Sequence, residues 1–151
     1  MKVLIVHDSQ HGNGERIAEA MKRGFENAAS GAADTVDGTA AAGTTEVIIA
    51  HVAEHDPASL VADPPDMVIV GAAVRMFILS KASKRWISAA AQALRPAGIT
   101  IPRGAIFVTH GMQRKNVDRK ARRFRRVLIR SRIFETVHDG WFSGKVEKPE
   151  G

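Results

Sequence analysis

Cysteine and tyrosine are both absent from this 151-residue chain. Without cysteine there is no disulfide, no zinc–thiolate or iron–sulfur centre and no thiol nucleophile. That absence fits a reducing, cytoplasmic setting. Aromatic residues make up only 5% of the chain, so few side chains are available to stack on a planar ligand. No apolar run approaches the ~20 residues that cross a bilayer. The N-terminus, MKVLIVHDSQHGNGE, does not read as a secretory signal, because an acid and glycines follow a very short apolar run. What is present is ordinary for a folded domain. The hydrophobic content of 44% argues against disorder, and the length suits one domain with a full core.

The net charge of +6 is unevenly placed. Between Arg114 and Arg132 ten Lys or Arg face one acid, Asp118, a local charge of +9. The remainder, with 12 basic and 15 acidic residues, carries −3. The chain is a mildly acidic domain bearing one strongly basic stripe.

Periodicity gives the order of elements. Val3, Leu4, Ile5 and Val6 form a continuous apolar run, the mark of a strand buried on both faces. A polar turn, HDSQHGNG (7–14), follows. From Glu15 the pattern is helical, with Ile17, Met21 and Phe25 on one face. The small-residue stretch 29–43 reads as a loop. Further strands are expected over Thr45–Val52, 67–73, Ala105–His110 and within 134–142, with one helical turn near 58–62. A helix is expected from Ser80, as N-cap, to Leu94, burying Ala82, Trp86, Ala90 and Ala93. A basic helix carries Val117, Ala121, Phe124 and Leu128 at helical spacing. Apolar strands alternating with helices imply a single α/β domain over 1–151, with helices on both faces of a parallel sheet. In such sheets ligands bind at the carboxyl ends of the strands, here the loops 8–14, 73–79 and 110–116.

The first of these loops carries the clearest chemistry. A glycine-containing turn at a helix N-terminus offers backbone N–H groups in a positive potential, which suits a phosphate. Gly12 and Gly14 let the backbone curl closely, Ser9 supplies a hydroxyl, and Asn13 a donor or turn former. The spacing is neither that of a P-loop nor that of a dinucleotide-binding fingerprint. An ordinary βα turn is the plain alternative.

Strand, Ser9-Gln10-His11-Gly12-Asn13-Gly14, helix resembles the phosphate loop of the flavodoxin family, T/S-x-T-G-N-T/S. DMVIVGAAVR (66–75) is similar to that family's third strand and first flavin loop. GAIFVTHGM (104–112) is similar to its fourth strand and second flavin loop, and WFSGKV (141–146) to a tail seen in some members. The resemblance spans essentially the whole chain. It implies a three-layer, doubly wound five-stranded parallel sheet of order 2-1-3-4-5. It also implies FMN, with phosphate in Ser9–Gly14 and the ring between Ala73, Val74, Arg75, Met76 and Phe77 on one side and Thr109, His110, Gly111 and Met112 on the other. The segment GAAVR is more loosely similar to the branch that contains menaquinone-dependent protoporphyrinogen oxidase.

The departures are specific. His11 and Gly14 replace hydroxyl residues, although His11 can donate in their place. The family usually covers the flavin with aromatics, often Tyr and Trp. Here Trp86 and Trp141 fall in a helix and the last strand, leaving Phe77 to stack and methionines to pack. Arg75 either stabilises a reduced flavin or is a solvent-facing loop arginine. His7 reads as a core histidine, with His11 and His110 as candidate proton relays. His51-x-x-x-His55 followed by Asp56 has metal-like spacing, but a strand and a Pro-bounded turn do not put both rings on one helix face.

The basic helix has an apolar stripe to pack on the sheet, yet its charge exceeds what a solvated face needs. Arg119, Arg122, Arg123 and Arg126 are read as a docking surface for an acidic redox partner or an anionic membrane surface, ahead of nucleic acid, for which no motif is present. The expected function is an FMN protein that transfers electrons. Two alternatives stand beside it: an FMN-dependent oxidoreductase acting on a quinone or porphyrinogen-like substrate, and a flavin-free interaction or nucleic-acid-binding module.

Overall fold

Strand β1 (Lys2–His7) takes an interior position in the sheet because Val3, Leu4, Ile5 and Val6 leave it no polar face; all four are buried. The computed structural model describes residues 1–10, 12–33, 45–75, 78–110, 114–140 and 142–145. Around β1 lie β2 (Glu46–His51), β3 (Met67–Arg75), β4 (Ile78–Leu79), β5 (Ile101–His110), β6 (Phe134–Val137) and β7 (Phe142–Lys145), with helices α1 (Asn13–Ala33), α2 (Lys81–Leu94) and α3 (Arg114–Ser131). The sheet order is β2-β1-β3-β5-β6. Strand β6 runs beside Ile101–Gly104, and β7 beside Phe107–His110, both parallel to β5. They share the fifth position, so the parallel sheet has the order 2-1-3-4-5 expected from the sequence. The two-residue strand β4 folds back antiparallel on the end of β3.

Both faces of the sheet are covered. On one side α1 packs Ile17, Ala18, Met21 and Phe25 against Val3, Ile5, Val47, Ile69 and Phe107. On the other, α2 and α3 share a larger core with Leu4, Val6, Val68, Val70, Ile106 and Val108. Gly71 of β3 makes room for the Phe107 ring of β5; a Cβ there would lie 2.1 Å from Phe107 Cζ. The two helices of the larger core are also tied at their ends. Arg95, the C-cap residue of α2, donates from Nε to the carbonyl of Ser131 (2.8 Å) and from Nη2 to that of Arg130 (3.1 Å). A cation thus meets the unsatisfied carbonyls at the C-terminus of α3. Arg132 turns into the left-handed region (φ 59°) and ends that helix. Arg125 holds α3 to the end of β6 through the carbonyl of His138 (2.7 Å) and through Asp139 (3.1 Å).

Several boundaries differ from the sequence expectation. The stretch read as a loop from 29 is helical to Ala33, where alanine favours continuing α1; 34–44 lie outside the described residues. Strand β3 runs to Arg75, so Val74 and Arg75 belong to a strand rather than a loop, and β5 starts at Ile101 rather than at Ala105. Helix α2 buries Ser83, Trp86, Ile87, Ala90, Ala91 and Leu94, while Ala82 is exposed. The face is rotated because the Ser83 hydroxyl donates to the carbonyl of Gly71 (2.7 Å) and so can be fully buried. Ser80 is the N-cap residue but makes no side-chain cap bond.

Packing at Gly71 yields a stability test. Gly71→Ala is expected to cost at least about 1–3 kcal/mol in denaturant unfolding, and Phe107→Leu on that background to recover part of the loss. A neutral Gly71→Ala would show that the ring can move aside freely. Acid sensitivity is the second expectation. Burial first, and then His51, hold the His7 imidazole below its ordinary value of 6.5. Burial likewise lowers His55, partly offset by Asp56. The unfolded chain therefore takes up protons that the native state refuses, so stability present above pH 6.5 falls as the pH drops below it. Replacing both histidines by Gln should flatten that slope in urea unfolding between about pH 7.5 and 5.5; an unchanged slope would contradict it.

Candidate functional site

Strands β1 and β2 end level, with His7 paired to His51 in register. The two rings meet edge to face, 5.3 Å between centroids and 81° between planes. His51 Nδ1 accepts from the Ala53 N–H (3.0 Å), so its Nε2 carries the proton and donates to the Ser9 carbonyl (3.1 Å). His7 Nδ1 accepts from the Ser9 N–H (3.2 Å). The histidine pair therefore fixes the backbone of Ser9 on both its polar groups. His7 is buried with its bond satisfied, as the core reading expected.

Beyond Ser9 the chain turns into α1. The Ser9 hydroxyl accepts from the Gly14 N–H (3.1 Å), which leaves its own proton for another acceptor. Gly12 sits at φ +84°, a conformation that glycine reaches without strain. A Cβ on Gly14 would lie 2.9 Å from Ser9 Cβ, so Gly14 serves the close approach of Ser9. Asn13 is the first residue of α1, and the Gly12 carbonyl takes the first helical bond, from the Arg16 N–H (3.0 Å). Gln10 is exposed. A hydroxyl, a tight glycine turn and the positive end of a 21-residue helix form a donor set that fits a phosphate.

Asp8 joins this turn to the next strand. Its Oδ1 accepts from the Ala73 N–H of β3 (3.0 Å). The side chain is buried, and Oδ2 is enclosed with no partner among the described residues. Strands β3 and β5 then pair rung by rung from Met67–Arg103 up to Val74–His110. The β1–α1 turn and the ends of β3 and β5 consequently meet at one edge of the sheet. Ala73, Val74 and Thr109 are buried there, and Arg75 and His110 end their strands. His11, Met76, Phe77, Gly111 and Met112 lie outside the described residues, as does Trp141. Trp86 is buried, and its indole N–H donates to the carbonyl of His55 (3.2 Å).

Sequence reasoning missed the cleft beside the turn. A space of about 360 Å³ opens between the ends of β1 and β2 and helix α2, bordered by Asp8, Gln10, His51, Arg85 and Trp86. An acid directly after an apolar strand was the available signal for Asp8; nothing marked the partners that α2 brings to it. Among the described residues no group of three or more His, Asp or Glu forms a metal site, and no helix is long and apolar enough to cross a membrane.

The basic helix is placed as its spacing requires. Val117, Ala121, Phe124 and Leu128 are buried on the sheet, while Arg119, Arg122, Arg123 and Arg126 are exposed and border a shallow concavity of about 470 Å³ together with Asp118.

No family model and no curated protein matches the sequence. Solved structures do match in shape. Flavodoxin 2 from Bacillus cereus is 19% identical with a TM-score of 0.62, over 100% of this chain and 88% of that one. A flavodoxin from Streptococcus pneumonia TIGR4 is 12% identical with a TM-score of 0.66, over 98% of this chain and 88% of that one. The rubredoxin oxygen:oxidoreductase from Desulfovibrio gigas matches over 95% of this chain but only 30% of its own length, with 13% identity and a TM-score of 0.61. Taken with the strand order and the three-layer packing, these likenesses establish that the chain has the flavodoxin-like fold.

Proposed function

We propose that this chain binds FMN at the carboxyl edge of its sheet and transfers electrons through it. The observation that carries the reading is the convergence at that edge. The Asp8–Ala73 bond joins the β1–α1 turn to β3, and the β3–β5 pairing brings in the end of β5. The described ends of the segments singled out from the sequence thus border one place. The proteins named flavodoxin among the matched structures support the same reading at the level of fold.

Bound there, FMN supplies the one- and two-electron chemistry. The chain's own work is to hold and orient it. The Ser9 hydroxyl and the start of α1 take the phosphate, with Gln10, His11, Gly12, Asn13 and Gly14 shaping the turn. Ala73, Val74, Arg75, Met76 and Phe77, with Thr109, His110, Gly111 and Met112, flank the ring. Asp8 and the two paired histidines position the turn. The docking side is α3, through Arg119, Arg122, Arg123 and Arg126, onto an acidic redox partner or an anionic surface. A second reading, an oxidoreductase with a small organic substrate such as a quinone, is favoured by the cleft at Asp8 and Trp86. Turnover of a soluble quinone without any protein partner would select it over electron transfer.

FMN added to the purified protein should lose fluorescence and stay with it through gel filtration. Ser9→Ala should weaken binding about tenfold or more, the loss of one charge-assisted hydrogen bond of about 1.5–3 kcal/mol, whereas Ser9→Thr retains most of it. Absence of quenching at high micromolar FMN would overturn the reading and leave a flavin-free interaction module.

A further inference from the structure

The sequence shows one basic helix; the structure shows a basic face. Helices α2 and α3 lie on the same side of the sheet and bury their apolar stripes in one core. At about 100° per residue, Arg119, Arg122, Arg123, Arg126 and Arg130 fall within an arc of about 100° directly opposite the buried Val117, Ala121, Phe124 and Leu128. They form the ridge of α3 that points away from the protein. The same construction on α2 places Lys81, Arg85, Ser88 and Gln92 opposite Ser83, Trp86 and Ala90, with Lys84 beside them. Helix α2 contains no acid at all. A second shallow concavity, of about 360 Å³, follows this ridge along Lys81, Lys84, Arg85 and Gln92. Eight cations therefore stand on two neighbouring ridges with one acid, Asp118, among them. The opposite face of the molecule differs: α1 carries three acids and three bases.

We propose that the α2–α3 face docks flat on an anionic lipid bilayer. This names the partner for the docking part of the function proposed above and does not depend on bound flavin. Two side-by-side ridges give a broad cationic plane, which fits an extended planar anion better than the groove of a duplex. Neither ridge exposes an aromatic side chain to stack on a base. Ile129 stands 45% exposed at the flank of the α3 ridge, an apolar side chain that can enter the headgroup region. Anionic headgroups attract each nearby Lys or Arg, and the attraction is screened within a Debye length.

Sedimentation of the full chain with vesicles tests this. Phosphatidylcholine vesicles containing about 30 mol% phosphatidylglycerol should carry the protein down at about 20 mM salt and release it near 0.5 M, while pure phosphatidylcholine should not bind it. Arg119→Glu, Arg123→Glu and Arg126→Glu together should weaken binding about a hundredfold or more. Lys81→Glu with Arg85→Glu should weaken it about tenfold or more, and Lys22→Glu with Arg23→Glu on α1 should leave it unchanged. The corresponding Gln substitutions, checked by circular dichroism, separate lost charge from lost fold. Ile129→Ser should lower the salt concentration at which the protein is released. The proposal falls if anionic vesicles do not bind, if the α2 pair has no effect, or if the α1 pair weakens binding as much as the α3 set. It also falls if polyglutamate or duplex DNA strips the protein from vesicles at equal total charge. FMN titration without vesicles reads the flavin proposal separately, so either can fail alone.

Discussion

Burial of four residues on α3 sets the outward character of half the molecule. Val117, Ala121, Phe124 and Leu128 must be taken out of water, and the apolar surface that receives them is the core shared by the sheet and α2. Once they dock, the azimuth of the helix is fixed, and Arg119, Arg122, Arg123, Arg126 and Arg130, on the opposite side of the helix, are turned to solvent. The hydrophobic effect thereby arranges the charges, though it has no direct stake in them. The same logic holds for α2, where burial of Trp86, Ile87, Ala90 and Leu94 faces Lys81 and Arg85 the other way.

At the carboxyl edge the controlling terms are polar. Parallel strands buried on both faces expose working groups only at their ends. Here those ends are locked by hydrogen bonds that cross between elements: His51 to the Ser9 carbonyl, Ser9 to Gly14, and Asp8 to Ala73. In each of these bonds a side chain is engaged with a backbone group. The lock holds a backbone in shape, as a site built to receive a cofactor requires. One oxygen of Asp8 is the exception, a buried acceptor without a donor among the described residues.

Much of this was legible in the chain, and the reasons differ by element. The runs Val3–Val6 and 67–73 announce doubly buried strands without ambiguity, and their alternation with helices limits the topology. The turn at Ser9–Gly14 could be read from composition alone. Ends of elements were less legible. Alanine-rich sequence after 28 serves equally for a loop or a continued helix. The place of Ser83 on the buried face of α2 was not legible, because its burial depends on the Gly71 carbonyl, which only the folded sheet supplies. Asp8 could not be assigned a role because its partner lies 65 residues away. The basic face was half visible: α3 carries the excess charge within one segment, but its union with α2 is a fact of packing.

The divided fifth position of the sheet has a consequence of its own. A long, regular edge strand invites another chain to pair with it, and edge-to-edge addition is a route to aggregation. Here the edge beside β5 consists of two four-residue strands with an intervening break, and the first of them carries the exposed Glu135. Each piece is too short to template a sheet, and the break shifts one relative to the other. Interrupting the strand thus shields the rim of a parallel sheet from its own kind.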